Sequence, residues 1–331
     1  MDENITLFDL FGNTIEKKQP IDRNKLATQL YAVFNDITLE QFVGMITNRF
    51  QELVEYVDLS NGARTCQKTS LLFNPHRLST KTKSSRLSIF DALHDESFIS
   101  GLARAILFKY GKLNLSSLLY QVLQLGINGI QYVNEFPPYL AMETCAKYDV
   151  GATSKVLDPC GGWGGRMIGV SVVCNSYTCF EPASLTYAGL QELDNFIRLL
   201  NPDFKATIHC TPYEDANLQS NYYDFAITSP PYYDTEEYTS EESNSLNRYG
   251  DFNSWCSGFY FPLIENTMKA LKPNGVFVLN IGDRKYPLGK TLVDCYGDYF
   301  DIECQGSVLS GRAGLNKQDI GEKLYAIRKK S

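Results

Sequence analysis

VLDPCGGWGGRMIGV, residues 156–170, runs from an apolar strand through an acid and a cluster of glycines into the start of a helix. In an α/β sheet, ligands bind beyond the carboxyl ends of the strands, and glycines there let a ligand lie against bare backbone. A dinucleotide site needs G-x-G-x-x-G, and the pattern fails here because Met167 stands where the third glycine belongs. A phosphate cradle is therefore not indicated. Asp158, at the strand end, suits a cationic or hydroxyl-bearing ligand, since a carboxylate repels pyrophosphate. A tight turn with no ligand is the plain alternative for a glycine cluster taken alone.

Outward from this stretch, short apolar runs alternate with helical patterns from residue 155 on, the sign of a parallel sheet covered on both faces. The pattern predicts strands at 155–158, 177–181, 206–210, 224–228 and 276–281, and two more at 300–305 and 323–328. Helices are expected at 164–173, 183–200 and 254–271, the last stopped by Lys272-Pro273-Asn274-Gly275. The second strand ends in Cys179-Phe180-Glu181-Pro182, which places an acid where such folds hold the two hydroxyls of a ribose. After the third comes Thr211-Pro212-Tyr213-Glu214-Asp215, a polar turn suited to the exocyclic amine of an adenine. An acid in that position is also an ordinary solvated helix cap.

The sharpest signal follows the fourth strand: Thr228-Ser229-Pro230-Pro231-Tyr232-Tyr233. Two prolines directly after a buried strand cannot donate to a ladder, so the chain leaves the sheet as a rigid loop. Rigidity there fixes two acceptors, the Ser229 side-chain oxygen and the Pro230 carbonyl, both able to accept from one NH2 group. That holds an amine with its lone pair aimed at an electrophile, which is catalysis by positioning. Tyr232 supplies a flat face for a base turned out of its stack.

These residues carry a family resemblance. The chain resembles the S-adenosylmethionine-dependent amino-methyltransferases that methylate N4 of cytosine or N6 of adenine in DNA. Asp158-Pro159-Cys160-Gly161-Gly162-Trp163-Gly164 resembles the family's D-P-x-x-G-x-G cofactor loop, Glu181 its ribose-binding acid, and Ser229-Pro230-Pro231-Tyr232 its catalytic loop. Asn134-Glu135-Phe136-Pro137-Pro138 is similar to the segment covering the methionine end of the cofactor, with Phe136 and Pro137 as contacts. The resemblance implies a Rossmann-like seven-stranded methyltransferase sheet with an antiparallel final hairpin, S-adenosylmethionine as cofactor, and direct in-line transfer to the amine of a flipped base. Ser in the first loop position points to cytosine N4 before adenine N6. An RNA base amine, and a subunit of this fold that binds without turnover, stay open. Carbon-5 methylation needs a nucleophilic cysteine, and the only Pro-Cys pair, Pro159-Cys160, lies inside the cofactor loop.

The rest of the sequence sets the surroundings. A chain of 331 residues, 44% apolar and 21% charged, can bury a sizeable core and is globular. No apolar run nears the roughly 18 residues of a membrane span. The acidic start, MDENITLFDLFGN, differs from a basic secretory leader, so a cytoplasmic, nucleoid-associated protein is expected. Nine cysteines without a CxxC pair or a His at metal-ligand spacing indicate neither a disulfide scaffold nor a metal site. Two domains are expected, a helical region over 1–130 and the methyltransferase domain over 131–331. Thr38 with Gln41 opens a helix whose apolar residues Leu39, Phe42, Val43, Ile46, Phe50, Leu53, Val54 and Val57 recur at helical spacing. Net charge is -7, yet residues 59–134 hold nine Lys/Arg against three acids, +6 locally. Residues 60–88, basic and free of acids, read as an exposed loop or a partly ordered arm. Its Arg64, Lys68, Arg77, Lys81, Lys83 and Arg86 are candidate phosphate contacts to DNA, joined by Tyr233 and by Arg312 in the loop between the last two strands. A solvated surface is the plain alternative for such a charge run.

Overall fold

Residues 156–157 and 225–227 are apolar throughout, as strands covered on both faces must be. They form the centre of the sheet in the computed structural model, which describes residues 34–82, 87–102, 135–283, 285–307 and 322–330, with isolated positions 15–16, 28, 31–32, 112–113 and 133. The strands are β1 (Lys155–Asp158), β2 (Ser176–Phe180), β3 (Lys205–His209), β4 (Tyr223–Thr228), β5 (Leu271–Gly282), β6 (Phe300–Ser307) and β7 (Glu322–Lys329). Their order is β6-β7-β5-β4-β1-β2-β3. From β3 to β5 the neighbours are parallel. The last strand, β7, inserts antiparallel between β5 and β6.

Seven helices are used below: α1 (Leu39–Ile46), α2 (Arg49–Ser60), α3 (Pro138–Lys147), α4 (Gly165–Ser171), α5 (Ser184–Ile197), α6 (Phe261–Ala270) and α7 (Leu288–Tyr296). One face of the sheet is packed by Ala141 and Cys145 of α3, Met167 and Ile168 of α4, and Leu190 and Leu193 of α5. The other is packed by Leu263 and Ile264 of α6 and Leu288 and Leu292 of α7. Helix α4 lies very close to α3. A Cβ on Gly165 would come 2.3 Å from the Phe136 carbonyl, and one on Gly169 would come 2.1 Å from that of Pro138.

The chain divides into two compact units, residues 1–48 with 75–134, and residues 49–74 with 135–331. A division at residue 130 was expected; instead, residues 49–74 belong with the sheet. They are fixed there by side-chain bonds that sequence periodicity does not display. Tyr56 shares a 2.8 Å hydrogen bond with Ser171, and Asn74 Nδ2 donates to the Trp163 carbonyl at 3.0 Å. Gly189 of α5 leaves room for this segment, since a Cβ there would lie 2.2 Å from Asn74 Oδ1.

Three further expectations are corrected. The helix begun by the Thr38/Gln41 capping box does form, but it ends at Ile46, and α2 restarts at Arg49. The break shifts the helical phase, so Tyr56 and Leu59 are buried while Phe50 is 77% exposed. The stretch expected as an exposed arm contains two 3-10 turns, Thr69–Leu72 and Pro75–Ser79, with Leu71, Asn74, Arg77 and Leu78 buried. The single helix expected over 254–271 is a short helix Phe252–Trp255 capped by Asp251, a π turn Cys256–Tyr260, and then α6. Lys272-Pro273-Asn274-Gly275 does not separate α6 from β5 but lies within β5, as a bulge between the pairs Tyr223↔Leu271 and Phe225↔Val276. No helix among the described residues is long and apolar enough to cross a membrane.

Candidate active site

The glycine loop leaves β1 at Asp158 and enters α4 through two left-handed residues, Gly162 at φ +55° and Gly164 at φ +99°. Only glycine adopts these readily. At Gly164 a side chain is also excluded by Leu193, 2.4 Å from where a Cβ would stand.

Asp158 does not face a ligand, contrary to expectation. Its carboxylate is fully buried and accepts from Arg166 Nε at 2.7 Å, Tyr177 OH at 2.6 Å, Thr228 Oγ1 at 2.7 Å and the Cys160 amide at 3.1 Å. Arg166, the cation of this buried pair, donates also to the Cys160 carbonyl. A carboxylate so fully bonded orients the loop from beneath. Burial pushes the Cys160 thiol well above its ordinary range, which disfavours the thiolate.

Glu181, at the end of β2, spans the loop and the start of α5. Its Oε2 accepts from the Gly162 amide at 3.0 Å and its Oε1 from the Ala183 amide at 2.9 Å. Burial pushes the carboxyl up to about 7, and the two N–H donors pull against that shift. The folded state thus holds this proton more tightly than the unfolded chain. Stability from this group is fully present below the unfolded carboxylate value, near 4.5, and is lost as pH rises toward 7. We expect the wild-type melting temperature to fall more between pH 5 and pH 8 than that of Glu181→Gln. Parallel pH slopes would refute the assignment.

Trp163 is buried in the loop, with the Tyr238 ring 5.9 Å away. Phe136 is buried below the Arg166 guanidinium, 5.6 Å from its ring centre, and Pro137 caps α3. Pro159 lies between Asp158 and Cys160 at the loop entrance. Glu214, the candidate partner of an adenine amine, has its Oε1 occupied by Arg248 at 2.9 Å and Tyr249 OH at 3.2 Å. Its carboxyl is raised by burial.

The loop Ser229-Pro230-Pro231-Tyr232 leaves the end of β4, the neighbour of β1. A residue that sequence reading missed anchors it. Asn280, 3% exposed near the end of β5, donates through Nδ2 to Ser229 Oγ at 3.1 Å and to Tyr232 Oη at 3.3 Å. Tyr232 OH donates in turn to the Asn280 carbonyl at 3.3 Å. Burial raises the Tyr232 phenol and keeps it neutral. Asn280 is the polar residue in the apolar run Val276–Ile281, and that interruption is the signal that would have found it. Tyr233, at φ +53°, packs among Phe252, Trp255 and Tyr286 with ring centres 5.1–5.8 Å apart.

The candidate phosphate contacts that are described fall in both units. Arg64 pairs with Glu143 at 3.5 Å and lies over the Tyr139 ring, and Lys68 is part-buried in the same unit. In the other unit Arg77 is only 2% exposed, and Lys81 pairs with Asp91 at 3.3 Å. Burial removes Arg77 from the candidates for surface contact. Lys83, Arg86 and Arg312 lie outside the described residues. Among the described residues no group of His, Cys, Asp and Glu is placed to hold a metal.

A parallel run β3-β2-β1-β4-β5 followed by an antiparallel β7 inserted before β6 decides the architecture. This is a Rossmann-like methyltransferase fold. No protein-family model and no curated protein matches the chain. Solved structures similar to it include an rRNA methylase from Streptococcus thermophilus, 13% identical over 60% of this chain and 99% of that one, with a TM-score of 0.38. A tRNA methyltransferase, TrmI, from Aquifex aeolicus is 13% identical over 67% of this chain and 87% of its own, with a TM-score of 0.41. An S-adenosylmethionine-dependent O-methyltransferase from Thermotoga maritima is 11% identical over 60% and 68%, with a TM-score of 0.39.

Proposed function

We propose that this chain transfers a methyl group from S-adenosylmethionine to the exocyclic amine of a nucleic-acid base, with N4 of cytosine in DNA as the first choice. The observation that carries the reading is the rigid Ser229-Pro230-Pro231-Tyr232 loop at the end of β4, its serine and tyrosine anchored by Asn280. The residues suit the cofactor. Gly162 and Gly164 offer bare backbone, Glu181 would hold the ribose hydroxyls, and Trp163 and Phe136 would supply apolar walls.

When bound, S-adenosylmethionine supplies an electrophilic methyl group on a sulfonium centre. The chain's own residues do the positioning. Ser229 Oγ and the Pro230 carbonyl would accept hydrogen bonds from the two amine N–H groups and turn the nitrogen lone pair outward, the neutral Tyr232 ring would stack on the base, and one amine proton would leave to solvent after transfer. Fixed acceptor dipoles stabilise positive charge as it develops on the nitrogen. Ser in the first loop position resembles the cytosine-N4 enzymes, and that resemblance alone ranks cytosine first.

The test is transfer of labelled methyl from S-adenosylmethionine to unmethylated double-stranded DNA, with total RNA in parallel, followed by nucleoside mass spectrometry. Label in N4-methylcytosine supports the reading. N6-methyladenine keeps the mechanism and changes the base, label in RNA changes the polymer, and cofactor binding without any transfer overturns the enzymatic claim.

A further inference from the structure

We infer that Glu236 and Glu322 are the residues by which this site distinguishes a cationic cofactor from its neutral product. The inference rests on the methyl-transfer reading above. Glu236 follows the transfer loop, and its carboxylate accepts from Tyr238 OH. Glu322 opens β7 opposite Gly282, and its Oε2 accepts from Asn280 Nδ2 at 3.3 Å. Neither carboxyl has a Lys or Arg within ion-pair distance among the described residues. Glu181 likewise bonds only to backbone N–H groups, whereas other acids nearby carry cations. Asp158 has Arg166, Glu214 and Asp215 share Arg248, and Asp234 has Lys285.

Position makes the missing cation informative. Tyr238 interacts with Glu236, Tyr232 and Glu181 together, and Tyr232 with both Glu322 and Glu236. Tyr238, which donates to Glu236, has its ring 5.9 Å from that of Trp163 in the glycine loop, and Asn280, which donates to Glu322, also donates to Ser229 and Tyr232, so one acid is tied to the glycine loop and the other to the transfer loop. A ligand joining those two places carries its sulfonium between them. A second, independent feature points the same way: Asn280 Oδ1 is buried in this cluster without a hydrogen-bond partner. Such an orphan is costly and is kept where a guest completes it. Two acids with no ion-paired cation among the described residues, beside an acceptor without a donor, suit a positively charged, donor-bearing guest: the sulfonium with the amine that attacks it. Burial raises Glu236 to about 7, the bond from Tyr238 opposes this, and the charge of Glu322 adds to it. The carboxyl is thereby poised to ionise fully when a positive charge arrives.

After transfer the cofactor is a neutral thioether and the attraction is gone, so the same acids favour release of product. Isothermal titration of the full chain with S-adenosylmethionine, sinefungin and S-adenosylhomocysteine tests this without any acceptor. Sinefungin bears an ammonium in place of the sulfonium, and the homocysteine compound is neutral. The wild-type chain is expected to bind the two cations about tenfold tighter than the neutral compound. Glu236→Gln, which keeps an acceptor for Tyr238, should cut that preference at least threefold. Adding Glu322→Gln should remove it, with affinity for the neutral compound changed less than twofold. An unchanged preference in the double variant, or equal losses for all three ligands, overturns the inference and leaves the methyl-transfer reading standing. Failure of the wild-type chain to bind any of the three overturns both.

Discussion

Asp158→Ala is expected to destabilise the chain by about 3–5 kcal/mol, the usual cost of leaving one member of a buried ion pair without its partner. The Arg166 side chain is only 6% exposed and its Nε lies 2.7 Å from Asp158 Oδ2, so the stranded guanidinium has no path to water short of displacing the glycine loop. Tyr177 and Thr228 lose their acceptor at the same time. Urea unfolding measures the loss. The companion variant Asp158→Ala with Arg166→Met removes both charges and should recover more than half of it. A single variant within about 1 kcal/mol of wild type would refute the view of Asp158 as the anchor of the loop.

The second large effect is on chemistry. Ser229→Ala combined with Tyr232→Ala removes one amine acceptor and the stacking face, and single-turnover methyl transfer should fall by about 10²–10³-fold. Glu181 and the glycine loop are untouched, so cofactor affinity should change less than about threefold. Stability should drop modestly, because Asn280 Nδ2 loses two of its three acceptors and keeps Glu322. Transfer that persists within tenfold of wild type would refute the assignment of this loop. Loss of cofactor affinity in step with transfer would make the loop part of the cofactor site instead.

The strength of the sequence signals explains which parts of the architecture were legible. The chain's central strands announce themselves because a strand buried on both faces must be apolar at every position, and prolines after Thr228 must leave the ladder. Glycines at 162 and 164 were readable for the same kind of reason: their left-handed backbone excludes nearly every other residue. Helix α7 was not singled out among the helices expected between the strands, since LGKTLVDCY is short and its cap, Pro287, offers no side-chain acceptor to the first turn. The α2 face was misread because a two-residue break at Thr47 and Asn48 is invisible to a periodicity that runs across it.

By itself, then, the sequence determined the parallel sheet, the two loops at its carboxyl edge and the acid at Glu181, because local backbone chemistry admits few alternatives at those positions. Tertiary structure alone decided the partners. It turned Asp158 from a ligand contact into a buried anchor, placed residues 49–74 with the sheet, buried Arg77, and set Asn280, Glu322 and Glu236 around Tyr232. Asn280 and Glu322 are 42 residues apart in the chain yet share a hydrogen bond. Their meeting follows from β7 inserting beside β5, a long-range pairing that no local pattern encodes.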